Sequence, residues 1–128
     1  MEMPMRTLNY LLLSVREPLQ SAELYSKLLG CEPVEQGKTF VLYVLPTGLK
    51  IGLWRADDVE PAPKPAGGVE ISFSEPSKEA VRATYAAWTQ LGLKVVQEPT
   101  DMDFGFTFVV EDPDGHRLRP FVLAMNPR

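Results

Sequence analysis

The sequence predicts an α+β fold in which a strand, a helix and three further strands occur twice along the chain. Three observations predict it. The helix-opening pair Glu17-Pro18 is answered by Glu75-Pro76, and the helix-closing pair Leu29-Gly30 by Leu91-Gly92, so the punctuation recurs at a period near 60. Residues 56–68 hold Pro61, Pro63, Pro65, Gly67 and Gly68 with few apolar side chains, which reads as a linker between the copies. Asp112-Pro113-Asp114-Gly115 separates the apolar runs 106–110 and 118–123. Pro113 fixes φ at the second turn position and Gly115 accepts positive φ, so this turn closes a hairpin. The expected organisation is one domain over 1–128, with modules 6–55 and 69–124 joined by linker 56–68. The alternative is two unrelated α+β halves with ordinary punctuation.

Residues 6–15 read as a strand with Leu11, Leu13 and Val15 on one face and Tyr10, Leu12 and Ser14 on the other. Glu17-Pro18 opens a helix whose apolar positions Leu19, Ala22, Leu24, Tyr25, Leu28 and Leu29 follow a 3.6 spacing, with Gly30 as its stop. Short strands follow at 31–35, 39–45 and 49–54, parted by turns at Gly37-Lys38 and Pro46-Thr47-Gly48. The order then restarts with a strand at 69–73. A second helix opens at Glu75-Pro76-Ser77, carries Val81, Tyr85, Trp88 and Leu91 on its apolar stripe, and ends at Leu91-Gly92. A strand at 93–96, a loop through Glu98-Pro99-Thr100-Asp101 and the hairpin from Phe104 to Leu123 complete the chain. Phe106, Phe108 and Val110 pack under the second helix, which turns Gly105, Thr107 and Val109 to the other face. Arg117 and Arg119 likewise share one face of the last strand and Leu118 takes the other. Each half alone leaves one sheet face uncovered, so halves must pack together, within the chain or across a dimer.

Composition excludes several function classes. With 128 residues, 45% hydrophobic and 23% charged, the chain has the size of one domain with a real core. A net charge of -4, with Lys and Arg scattered, leaves no footprint for nucleic acid. The apolar run Leu11-Leu12-Leu13 is far short of a membrane span or signal-peptide core, so a cytoplasmic protein without a membrane partner is expected. Cys31 is the only cysteine and reads as a small buried apolar residue; the single histidine, His116, reads as a turn residue. Ser21 has no histidine placed to activate it and is no nucleophile.

The helix pattern from Val15 to Gly30, with Ser21, Tyr25 and Leu28-Leu29-Gly30, and the Asp112-Pro113-Asp114-Gly115 turn before the last strand together resemble the vicinal oxygen chelate superfamily. That superfamily includes glyoxalase I, extradiol dioxygenases, fosfomycin-modifying enzymes and bleomycin-binding proteins. The resemblance covers nearly the whole chain. It implies a glyoxalase/bleomycin resistance-like fold of two βαβββ modules, whose curled mixed sheets surround a cavity usually completed in a homodimer. Members include both metalloenzymes and metal-free drug-binding proteins, so fold alone does not fix activity.

The resemblance also places the metal-ligand positions. On this sequence they fall at Tyr10, Gly52, Glu70 and Arg119, so one possible ligand of four remains. A divalent ion wants three or four His, Cys or carboxylate donors, and a guanidinium aimed at it repels it. No metal and no cofactor are therefore expected. Glu70 and Arg119 are expected to meet, as a self-neutralising ion pair or through a ligand carboxylate that the guanidinium fork would match. Gly52 is expected to leave room beside Trp54, on which a flat aromatic ligand would stack; core or dimer packing is the alternative for that indole. Trp88 reads as core. Phe104 is either a rim residue over the site or a plain hairpin-edge residue. Ser72 and Ser74 share the face of Glu70. The expected ligand-binding set is thus Tyr10, Gly52, Trp54, Glu70, Phe104, Thr107 and Arg119.

Three functions remain open. The first is metal-independent binding and sequestration of a small planar aromatic compound, of the bleomycin or phenazine resistance type; the strands Gly52-x-Trp54 and Arg119-Pro120-Phe121 look most like the latter. The second is a lyase, isomerase or hydrolase with Glu70 as general acid or base. The third is a dimeric domain with a vestigial cavity.

Overall fold

The computed structural model describes residues 3–124. The chain divides into two compact units, with the division between Pro63 and Lys64. In the first unit β1 (Tyr10–Val15) leads to α1 (Pro18–Leu29), β2 (Glu35–Gln36), β3 (Phe40–Val44) and β4 (Lys50–Arg55), and a 3-10 turn spans Ala56–Asp58. In the second, β5 (Glu70–Ser74) leads to α2 (Lys78–Thr89), β6 (Lys94–Met102), β7 (Gly105–Glu111) and β8 (Arg117–Leu123). The sheet orders are β1-β4-β3-β2 and β5-β8-β7-β6, and neither sheet closes on itself. In each unit the first and last strands run parallel while the rest pair antiparallel. The same connectivity, with helices of 12 residues starting sixty positions apart, is built twice.

In the first unit, α1 buries Pro18, Ala22, Tyr25 and Leu28, and alternate strand residues Val15, Val41, Tyr43, Ile51 and Leu53 supply the facing core. Leu19 lies off that stripe and is exposed. Tyr43 ties sheet to helix: its hydroxyl donates to the Ala22 carbonyl at 2.9 Å and lies 2.9 Å from Ser26 Oγ. Burial pushes the phenol above its ordinary pKa, which keeps that donor protonated. Pro18 occupies the first helical turn, where its missing N–H costs nothing, and Gly30 ends the helix at φ 72°. Glu17 is the N-cap but makes no side-chain capping bond.

In the second unit the core is aromatic. Trp88 meets Phe73 edge-on at 5.2 Å between ring centroids, and Phe108 sits 5.1 Å from Tyr85 and 5.9 Å from Trp88. Lys78 and Arg82 of α2 cover the Phe106 ring at 5.3 and 4.7 Å.

Several sequence expectations shift. The strand expected at 31–35 is confined to Glu35–Gln36, because only there does the chain come into register with Leu42 and Val41 of β3. Cys31 is half-buried, outside the core. Residues 6–8 lie outside the sheet; the Asn9 carbonyl accepts the Lys50 N–H at 2.8 Å, and paired register begins at Tyr10 opposite Lys50. The second helix starts after Ser77, whose hydroxyl accepts the Ala80 N–H at 3.0 Å, so its cap is the serine and Glu75-Pro76 stands before it. It ends at Thr89, and Gln90 and Leu91 close a last turn onto Ala87 and Trp88. The loop expected from Glu98 to Asp101 is instead the middle of a nine-residue strand, β6. Pairing with β7 slips between Val95 and Gln97 and again between Gln97 and Thr100. Pro99, which has no N–H to give a ladder, falls in the second slip.

The hairpin turn forms as expected, with Gly115 at φ 89°. Its anchor is a side chain that composition did not single out: the buried Asp112 carboxylate accepts the N–H groups of Asp114 at 2.9 Å and His116 at 2.8 Å.

Candidate functional site

Because successive strand residues alternate, each sheet has a face turned away from its helix, and the expected site residues fall on those two faces. In the first unit that face carries Tyr10 and Leu12 of β1, Gly52 and Trp54 of β4, and Phe40, Leu42 and Val44 of β3. Their registers are Leu12 opposite Gly52 opposite Leu42, and Ser14 opposite Trp54 opposite Phe40. The helix-facing neighbours Ile51 and Leu53 are buried, whereas Tyr10 is 42% and Leu12 47% exposed, and Trp54 and Phe40 are half-buried. The face is thus an accessible apolar and aromatic surface.

Gly52 does not leave the open room expected beside Trp54. A Cβ there would lie 2.8 Å from Leu12 Cδ1 and 3.0 to 3.1 Å from the Phe40 ring, so these two side chains already occupy the space the glycine vacates. Both are free ends of side chains rather than backbone, and Leu12 is largely solvated, so the surface over Gly52 is deformable.

In the second unit, Glu70 and Arg119 meet directly. Arg119 Nε donates to Glu70 Oε1 at 2.7 Å and Nη2 to Oε2 at 3.2 Å, a two-pronged pairing. Its remaining nitrogen, Nη1, donates to Gln97 Oε1 at 3.2 Å and stands 4.0 Å from Met102 Sδ. Arg117 brings a second guanidinium, with Nε 3.4 Å from Glu70 Oε2. β5 and β8 run in parallel register, Glu70 opposite Arg117 and Ser72 opposite Arg119, so the carboxylate reaches both arginines on one sheet face. The Arg119 hydrogen bonds hold the Glu70 carboxyl below its ordinary pKa; burial works the other way, and the charges of Arg119 and Arg117 add to the lowering. Glu70 is therefore a carboxylate at neutral pH with both oxygens engaged, a poor general base or acid.

Stability should follow that depression. A group whose folded pKa lies below its unfolded value, here 4.5, stabilises the fold above that pH and loses the contribution as pH falls through the folded value. The stability gap between wild type and Glu70→Gln is expected to be constant from pH 8 to 5 and to shrink below 4.5. Urea titrations of both proteins across that range check it, and a gap that widens in acid would contradict the pairing.

Phe104 sits in the turn between β6 and β7, its ring 6.3 Å from Phe121 and nearly perpendicular to it. Ser72 and Ser74 are exposed. Thr107 departs from expectation: it is fully buried and its hydroxyl donates to the Pro120 carbonyl at 2.8 Å, so it has no proton left for a ligand. Gln97, Met102 and Phe40 were missed in the sequence. Gln97 and Met102 are five residues apart, so alternation alone sets them on opposite faces, and only the register slip at Pro99 brings both to one; Phe40 likewise depends on a register the sequence does not give.

The residues at the four expected metal positions do not suit a divalent ion. They are a phenol, a glycine, a guanidinium and a carboxylate whose oxygens hold guanidinium groups. No group of three or more His, Cys, Asp or Glu occurs among the described residues. No helix among them is long and apolar enough to cross a membrane.

Comparison with known proteins places this geometry in context. The model of the Glyoxalase/Bleomycin resistance protein/Dioxygenase superfamily matches residues 7–119. The chain is 29% identical over 119 residues to the phenazine antibiotic resistance protein EhpR of Enterobacter agglomerans, covering 91% of this chain and 92% of that one. Among solved structures it is similar to protein ATC0852 of Agrobacterium tumefaciens, with 40% identity, a TM-score of 0.87, and coverage of 94% and 99% of the two chains. A glyoxalase/bleomycin resistance protein/dioxygenase from Nocardioides shares the fold at 18% identity, with a TM-score of 0.84 and coverage of 99% and 89%.

Proposed function

From the premise that this chain belongs to the glyoxalase/bleomycin resistance protein/dioxygenase superfamily, we propose that it binds and sequesters a small planar aromatic compound without a metal, as a resistance protein of the phenazine type. The observation that carries this reading is the accessible aromatic face of the first sheet, where Trp54, Phe40 and Tyr10 surround a glycine covered only by movable side chains. The relative named for phenazine resistance supports it, as does a donor set that suits neither a metal ion nor acid-base chemistry. Flat apolar ligands gain from stacking on such rings, and a few polar groups fix their orientation. Protection needs no bond broken: with dissociation near micromolar, about 8 kcal/mol, micromolar protein lowers the free compound by mass action.

The test is titration of the chain with phenazine. Trp54 fluorescence is expected to quench on binding, against a steady background from the core residue Trp88. Trp54→Ala should weaken the affinity about thirtyfold, the roughly 2 kcal/mol typical of a stacked anchor residue. Binding should persist after dialysis against a chelator, and chromatography should return the compound unchanged. Turnover abolished by Glu70→Gln would install the acid-base alternative instead, and affinity unchanged in Trp54→Ala would remove the stacking surface from the proposal. The proposal includes a homodimer, which light scattering should report as twice 14.3 kDa.

A further inference from the structure

On the face of the second sheet turned away from α2, two guanidinium groups share one carboxylate, and Glu70 can neutralise only one of them. Arg119 takes it, with both prongs of its fork engaged. Arg117 is left as the surplus cation: its Nε is buried without a hydrogen-bond acceptor, 3.4 Å from the nearer Glu70 oxygen. The next acid across the sheet, Glu111, stands in register between Arg117 and Lys94, so it does not cancel the excess. A chain with net charge -4 therefore keeps a local excess of one positive charge here. On the same face of β8, two residues beyond Arg119, Phe121 presents its ring beside Phe104. The Arg117 side chain is nearly a third exposed beyond its buried Nε, and its surplus charge lies four strand residues, about 13 Å, from the Phe121 ring along β8. A flat aromatic acid stacked on the ring pair would set its carboxylate towards the exposed end of that guanidinium and offset the charge.

We propose that this face selects aromatic ligands bearing a carboxylate, with Arg117 as the specificity-determining residue. This rests on the reading of the protein as an aromatic binder and names the class of compound that the second sheet's own face takes.

The experiment is calorimetric titration with two probes of equal shape, phenazine-1-carboxylate and the uncharged phenazine-1-carboxamide. The wild type is expected to bind the carboxylate about tenfold more tightly, a preference that shrinks as salt rises. Arg117→Met should bring the ratio of the two affinities to about one, and Arg117→Lys should restore part of it. Glu70→Gln should move it the other way, because it frees the Arg119 fork; this second variant keeps the test decisive if Arg117→Met fails to fold. Equal wild-type affinities, or a preference that survives Arg117→Met, would overturn the assignment of Arg117 while leaving the aromatic-binding reading in place. If neither compound binds, that reading falls and this inference with it.

Discussion

Replacement of Gly105 by alanine is expected to destabilise the second unit by about 3 kcal/mol or more, whereas Gly115→Ala should cost only about 1 kcal/mol. Both glycines have positive φ, 155° and 89°, so both substitutions strain the backbone. The surroundings separate them. A Cβ on Gly105 would run into the Val122 carbonyl oxygen and come within 2.9 Å of Leu123 Cα, and these are backbone atoms of the strand that Gly105 pairs with. They cannot step aside without parting β7 from β8, the hairpin that positions Arg117, Arg119 and Phe121. At Gly115 the nearest atom is Ala66 Cβ at 3.8 Å, an ordinary contact, so only the conformational strain remains. Urea unfolding followed by circular dichroism gives the two values. Equal losses would mean that close strand approach at Gly105 contributes nothing, and the account of the β7–β8 pairing there would be wrong.

The contrast between these glycines also shows what the sequence discloses. Turn chemistry is local, so Asp112-Pro113-Asp114-Gly115 and the stop at Gly30 could be placed from residue types alone. Alternation is nearly as local, and it put Arg117 and Arg119 on one face with Leu118 on the other. Glu70 and Arg119 belong to the same module, and they meet because its first and last strands, β5 and β8, lie side by side in parallel register. What failed depended on partners from distant parts of the chain. Pro99 reads as a loop because a proline interrupts a ladder, yet β6 continues through it by slipping register where the missing N–H would have been needed. Gly52 reads as a gap, yet Leu12 and Phe40, neighbours only across the sheet, cover it. Thr107 reads as a polar lining residue, yet the carbonyl of Pro120 on the adjacent strand takes its proton. In each case the residue's own tendency was read correctly, and the neighbour that answered it lay forty or fewer positions away in sequence but on another strand.

Phe108→Ala is expected to cost about 3 to 5 kcal/mol, a large part of the stability of a chain this size. Phe108 is fully buried, and its ring meets Tyr85 and Trp88 edge-on, so truncation removes the transfer energy of a whole aromatic side chain and two ring contacts at once. The cavity left behind is lined by Tyr85 and Trp88, large rigid side chains whose places on α2 are set by the helix, so little collapse can fill it. Phe121 provides the comparison, since it is only half-buried and lies on the opposite face; Phe121→Ala should cost about 1 kcal/mol or less. Ligand affinity should reverse the order: under conditions where both variants stay folded, the loss of Phe121 should weaken binding of an aromatic acid and the loss of Phe108 should not. Urea unfolding and calorimetry on the pair separate the two faces of the sheet, one holding the fold and the other the guest. A stability loss at Phe121 equal to that at Phe108 would assign both rings to the core and remove the aromatic neighbour from Arg119.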